Sequence, residues 1–293
     1  MKSLLLAAYR VRGPFYYAAA VVLVCGAVST GLLAPGLPRD IARTAMLCAL
    51  VLLVACMLLA VLVPRVLPDR DTITVRSPVR GRWLGMNSPA SKAPSHGVRM
   101  YGQTFAIDLV HEPVDRPRPT FGTGGSLRPP HDYPAYGEPV HAMIDGVVVR
   151  ASGWRRDHRS RSSVLAALYM LVEGMIREAG GPGFILGNHV VIRGTDGVFA
   201  AVAHLAQGSP TVQIGDRVRA GEVIGACGNS GNSSEPHVHA QLMDRASVWT
   251  AQGIPMLFEN IKLDDDTSIA ADTLPGNDQH MISASEELDR LAR

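Results

Sequence analysis

The sequence predicts a mainly β protein: a β-rich domain with one helical insertion, placed behind two helices long enough to cross a membrane. Three observations carry that expectation. Residues 15–33 and 45–63 are apolar and free of charge. From about Pro78 onward, short apolar runs are broken by Gly, Pro, Asp and Asn, the pattern of strands and turns. One later stretch, 162–179, switches to the period of a helix. The chain of 293 residues suffices for one or two domains with a real core, and its net charge of +2 gives no reason to expect nucleic acid as a partner.

Residues 1–14 read as a short basic tail carrying Lys2, Arg10 and Arg12. As helices, 15–33 and 45–63, within the membrane region 15–66, would each span about 28 Å, the thickness of bilayer hydrocarbon. No A-x-A site follows the first, and Cys25 follows a valine, so a retained hairpin is expected rather than a cleaved leader or a lipoprotein signal. Cys25, Cys48 and Cys56 fall in these helices, which leaves Cys227 without a disulfide partner in the soluble part. Residues 67–93 read as linker and start of the soluble domain, 94–261 as the domain, and 262–293, with Asp264, Asp265 and Asp266, as a loose polar tail.

Within the domain, TFAIDLV (104–110) alternates as a strand, with Asp108 on the face opposite Phe105, Ile107 and Leu109. GEPVHAMIDGVVVRA (137–151) reads as two short strands around Asp145-Gly146. WRRDHRSR (154–161) is basic and suits a solvated surface, or contact with anionic head groups or wall polymer. The helix over 162–179 stops at Gly180-Gly181-Pro182-Gly183. HVVIRGTDGVFAAVAHL (189–205) is a hairpin turning between Gly194 and Gly197, with His204 on the side of Val202 and Ala200. QIGDRVRAGEVIGACG (213–228) is a further series of short strands.

GNSGNSSEPHVHAQL (228–242) ends a polar loop with two histidines one residue apart. On a strand, His237 and His239 share a face, so one strand can supply both a metal ligand and a second imidazole beside it. Asp108, on a half-buried strand, needs a partner, and a cation would serve. A catalytic zinc site holds three protein ligands and leaves one position open. The segment AHL…VQIGDRVRAGEVIGACGNSGNSSEPHVHAQL is similar to the C-terminal motif series of the lysostaphin-like (LytM-domain) zinc metallopeptidases, and GEPVHAMIDGVVVRA resembles the strand pair preceding that series. The resemblance runs over roughly 94–242.

That resemblance implies a compact antiparallel β fold with a groove and one Zn²⁺ per domain. It also implies hydrolysis of peptide bonds in peptidoglycan stems or cross-bridges, here by a membrane-anchored member. Carried over residue by residue, Asp108 and His239 are metal ligands, and His204 and His237 are the non-ligand catalytic pair. The first ligand departs from the pattern, because the usual histidine position is Thr104. His96 is the preferred replacement. His111 lies three residues past Asp108 and points to the opposite face of a continuous strand. His141, His189 or a site with two protein ligands remain as alternatives.

Two other functions compete: an inactive scaffold of the same fold that regulates wall hydrolases, and a sugar-phosphotransfer carrier, which needs neither carboxylate ligand nor membrane anchor. Topology sets two expectations against each other. Basic residues flank both ends of the helix pair, and only Arg39 and Arg43 lie between, which favours both ends in the cytoplasm. The substrate implied by the resemblance favours an extracytoplasmic domain in the cell membrane, and that placement is preferred.

Overall fold

The computed structural model describes residues 2–67, 70–263 and 270–283, and the chain divides into two units, Met1–Pro68 and Asp69–Arg293. The first unit is a pair of helices, α1 (Lys2–Leu32) and α2 (Leu37–Val66), each long and apolar enough to cross a membrane. Helix α1 takes in the stretch expected to be a basic tail, because Leu4, Leu5, Leu6, Ala7 and Ala8 are strong helix formers. Helix α2 starts at Leu37, eight residues before the apolar run, where Pro38 at the first turn pre-sets the helical φ and gives up a donor that has no partner there.

The second unit is built on strands β1 (Ile73–Val75), β2 (Gly81–Met86), β3 (Ile107–His111), β4 (Leu127–Arg128), β5 (Pro139–His141), β6 (Gly146–Ser152) and β7 (Ser160–Arg161). Helices α3 (Val164–Ala179) and α4 (Pro182–Leu186) follow, then β8 (Asn188–Arg193), β9 (Phe199–Leu205), β10 (Arg217–Val218), β11 (Val223–Ala226) and β12 (Val238–Met243). The last strands are β13 (Gly253–Ile254), β14 (Met256–Leu263), β15 (Ala271–Thr273) and β16 (His280–Ser283). Among the described residues, one large sheet runs β1-β14-β16-β2-β3-β12-β9-β8-β6-β10, with β13 on β12 and β15 on β14. Its pairs are antiparallel except β1 with β14. Two two-stranded sheets, β5–β11 and β4–β7, complete the mainly β fold.

The central strands β3, β12 and β9 are buried on both faces. Ile107, Leu109, Val202, Val238, Ala240 and Leu242 enter the main core, together with Trp83, Phe258 and Met281. Ala201, Ala203 and Met243 face a smaller cluster on the other side with Tyr101 and Leu186. That second face carries the polar site.

Four expectations need correction. The strand through Asp108 begins at Ile107 rather than Thr104, because residues 100–105 form a tight turn in which Tyr101 and Gly102 take positive φ. The strands on either side of Asp145-Gly146 do not pair with each other; β5 pairs with β11, and β6 with β8 and β10. The polar stretch after Lys262 is not a loose tail throughout. Strand β16 is inserted between β14 and β2, with Met281 fully buried opposite Trp83 and Ser283 Oγ donating to Val79 O at 2.5 Å. Its short HMIS alternation is masked by polar neighbours; Asp264–Asp266 lie outside the described residues. The fourth correction, the direction of His204, belongs to the site.

Candidate active site

Strands β3 and β12 place Asp108 directly opposite His239. Their neighbours Ile107, Leu109, Val238 and Ala240 all enter the main core, so strand alternation forces Asp108 and His239 together onto the other face. His239 Nδ1 lies 2.8 Å from Asp108 Oδ1. The same period brings Gln241 to that face. Gln241 is fully buried; its amide nitrogen donates to Tyr101 O at 3.0 Å, so its oxygen, 2.8 Å from His239 Nε2, must accept. His239 therefore carries its proton on Nε2 and keeps a lone pair on Nδ1, the nitrogen turned to Asp108.

His96 comes from outside the sheet. It lies twelve residues before Asp108, and its Nε2 is 3.1 Å from Asp108 Oδ2. The connection folds back on itself: Ser95 N donates to Thr104 O at 3.1 Å and Ser95 Oγ to Gln103 O at 3.2 Å. Thr104, at the position expected to be a ligand, is thus a backbone anchor for the loop that delivers His96. Asn87, with φ +45°, donates to Asp108 Oδ2 at 2.7 Å and completes the carboxylate's surroundings. The donor atoms of His96, Asp108 and His239 all lie within 4.8 Å of one another.

His237 shares the face of His239, as its spacing predicts, and its Nε2 is 3.6 Å from Asp108 Oδ1. Its Nδ1 is 2.8 Å from Glu235 O, so it donates there. His204 reaches the same place against its expected parity. Val202 and Ala200 face the main core, yet the His204 ring centroid is 4.7 Å from that of His237 and 5.8 Å from that of His239. The cause is a bulge. Asn188 pairs with Leu205 and His189 with Ala203, so His204 is the extra residue, and its φ of +62° turns it to the site face. Left-handed backbone costs a non-glycine residue about 1–2 kcal/mol. The Nδ1–H bond to Ser230 O, 2.8 Å, holds it there.

The Gly/Asn/Ser loop is the clamp that supplies that carbonyl. Ser230 Oγ accepts from Asn188 N and donates to Leu205 O, the pair of residues on the two strands next to the bulge. Gly231 has φ +77°, and a Cβ there would stand 2.4 Å from Gly187 N, so the close approach of the two loops requires glycine.

Burial alone would raise the Asp108 carboxyl, but the neighbouring imidazoles, His96 first and His237 next, more than offset it and hold it well below the usual carboxylate range. Burial, with the neighbouring imidazoles His237 and His239, pushes His204 well below an ordinary histidine. His204 is therefore a neutral imidazole whose Nε2 bears a lone pair. Beside the pair opens a cavity of about 510 Å³ lined in part by Met86, Glu112, Arg118, Tyr133, Ser234 and Glu235. Burial raises the Glu235 carboxyl despite Arg118, whose Nη1 is 2.5 Å away.

All five residues singled out from the sequence, His96, Asp108, His204, His237 and His239, meet at this point. The other candidates do not. His111 stacks on Trp83 with centroids 4.7 Å apart; His141 Nδ1 bonds Gly221 O at 3.0 Å and His189 Nδ1 bonds Gly187 O at 2.9 Å. Gln241 was legible from the strand period that pairs the two histidines and was passed over. Asn87 carries no signal in sequence, because only the β2–β3 pairing brings it to Asp108.

Residues 131–250 match Peptidase family M23. Over that stretch the chain is similar to this peptidase family. The matched stretch includes His204, His237 and His239 and begins after His96 and Asp108, which the fold brings to it. The glycyl-glycine endopeptidase ALE-1 of Staphylococcus capitis is 41% identical over 88 residues, 29% of this chain and 24% of that protein. Lysostaphin of Staphylococcus simulans is 40% identical over 87 residues, 29% of this chain and 17% of that protein. The chain thus spans a quarter or less of the length of these relatives. The catalytic domain of lysostaphin from Staphylococcus simulans aligns in structure over 52% of this chain and 77% of that chain, at 21% identity and TM-score 0.30. A zinc-containing peptidase from Vibrio cholerae aligns over 59% and 36%, at 19% identity and TM-score 0.28.

Proposed function

We propose that the chain is a membrane-anchored zinc metalloendopeptidase that hydrolyses peptide bonds in peptidoglycan stems or cross-bridges. The observation that carries this reading is the convergence of His96 Nε2, Asp108 and His239 Nδ1 on one point, with two further imidazoles beside it. Two nitrogens and one carboxylate are a donor set zinc takes in catalytic sites. The fit extends outward: Gln241 sets the tautomer that frees His239 Nδ1, and Asn87 steadies the carboxylate. His96, Asp108 and His239 would hold the ion, which supplies Lewis acidity toward a peptide carbonyl and lowers the pKa of water.

The remaining chemistry falls to the chain's own groups. His204 and His237 each have Nδ1 tied to a backbone carbonyl, so Nε2 is the proton-accepting atom on both. One of them takes the proton of the attacking water and, as an imidazolium, donates it onward to the leaving amine; the other steadies the developing oxyanion once protonated. The cavity lined by Glu112, Arg118 and Glu235 adjoins His237 through residue 235 and offers the peptide a binding face.

Helices α1 and α2 anchor the domain to the membrane, and the substrate places the domain outside the cytoplasm. The test is incubation of the full chain in detergent with purified peptidoglycan and with a pentaglycine peptide, the latter because ALE-1 bears the name glycyl-glycine endopeptidase. New amino termini should appear and should be suppressed by a chelator. Bound zinc without turnover would replace this reading with the scaffold; turnover indifferent to chelation would remove zinc from it.

A further inference from the structure

Helix α3 is amphipathic the wrong way round for a soluble domain. Leu165, Leu168, Leu171, Val172, Met175 and Ile176 lie on its outer face and are 50–76% exposed. No charged residue interrupts that face. The charged residues of α3 point inward instead. Glu173 pairs with Arg161 and Arg177, Arg177 donates to Gly231 O, and Glu178 accepts from Tyr101 OH at 2.8 Å. A surface helix ordinarily buries its apolar stripe and shows its charges to water. Here the ion pairs fasten the helix to the domain and the apolar stripe is left outside. A continuous exposed apolar patch of this kind marks an interaction surface.

We infer that the outer face of α3 docks into the interface of an anionic lipid bilayer. Charge complementarity selects that occupant. Trp154, 67% exposed, precedes the helix, with the guanidinium of Arg155 stacked 4.3 Å from the centre of its ring. Arg156 and Arg159 are exposed in the same segment, and its one acid, Asp157, is spent on the backbone of Gln207 and Asn229. Exposed leucines and a tryptophan, with arginines in the adjoining segment, are the composition of a helix lying in the plane of a membrane, sunk by about 5–10 Å. Proximity comes from the chain. Six residues separate the end of α2 from the start of β1, a reach of about 20 Å when extended. This step rests on the anchoring by α1 and α2, and not on the catalytic assignment.

Docking would put the catalytic loop next to the lipid. Arg177, on the inner face of α3, holds the carbonyl of Gly231, and the preceding residue, Ser230, holds His204. The site then works on substrate at the membrane surface rather than deep in the wall.

The test uses the full chain in vesicles of phosphatidylethanolamine and phosphatidylglycerol with or without brominated acyl chains. Tryptophan fluorescence reports cleanly, since all three tryptophans, Trp83, Trp154 and Trp249, lie outside α1 and α2. Brominated lipid should quench part of the emission. Trp154→Phe should abolish that part, as should Leu168→Glu with Val172→Glu, exposed positions whose replacement leaves the helix content by circular dichroism unchanged. Arg156→Gln with Arg159→Gln should weaken it. An inserted chain, shown by flotation with the vesicles, whose tryptophans are not quenched would overturn the docking. So would quenching replaced by cross-linking between copies through position 172, which would make a second copy the occupant. Failure to float would instead overturn the anchoring.

Discussion

At the scale of single residues, the site separates imidazoles by what their second nitrogen does. His239 has its Nε2–H taken by Gln241, while His204 and His237 have their Nδ1–H taken by backbone carbonyls. His239→Ala is therefore expected to lose both bound zinc and hydrolysis. His204→Ala and His237→Ala should keep zinc near the wild-type level while kcat/KM falls by roughly 10²–10⁴-fold, the usual contribution of a positioned acid–base group. The double variant should lose less than the product of the single losses, because the two groups serve one transition state. Zinc loss in His237→Ala as complete as in His239→Ala would contradict this division. Gln241→Leu keeps the shape and removes the acceptor that sets the tautomer. It should weaken zinc by roughly 10–100-fold, measured by competition with a chelating dye; unchanged affinity would mean that Gln241 only packs.

At the scale of elements, alternation along β3 and β12 made Asp108, His237 and His239 legible together, since the register of two strands whose apolar neighbours fill the main core leaves no other face for them. Two features were not legible. A bulge is a property of a strand pair, so the alternation of VFAAVAHL aims His204 at the wrong face. The loop that brings back His96 depends on hydrogen bonds from Ser95 to Gln103 and Thr104, and no periodicity records those. Helix α3 was legible in its span and not in its orientation, because the partners of its charges, Arg161, Gly231 and Tyr101, come from three other parts of the chain.

Those charges give α3 a pH dependence with a definite sign. Burial raises the Glu173 carboxyl, but the hydrogen bond from Arg161 and the charges of Arg161 and Arg177 more than offset it, leaving it below its ordinary value. A carboxyl depressed on folding contributes stability above its unfolded pKa, about 4.3, and loses it as pH falls through the lower folded value. Amide hydrogen exchange should show α3 losing protection over that acid interval, and Glu173→Gln should remove the dependence while lowering protection at neutral pH. Protection of α3 that is flat across the interval in the native protein would contradict the assignment.

For the whole molecule, two apolar helices precede a β domain that is similar to Peptidase family M23 over residues 131–250, and the side of the membrane follows from what the domain is proposed to cut. Protease added to intact, wall-stripped cells should degrade the chain beyond residue 66; complete protection until lysis would place the domain inside, as the flanking arginines favour. The central claim is that His96, from a loop twelve residues ahead of Asp108, completes the metal site in place of Thr104. The direct measurement is zinc per chain by elemental analysis in the native protein, His96→Ala and His111→Ala, purified side by side. Native protein and His111→Ala should each hold one zinc, and His96→Ala should lose most of it, since one carboxylate and one imidazole hold zinc poorly. Full zinc in His96→Ala, or its loss in His111→Ala alone, would contradict the site as described.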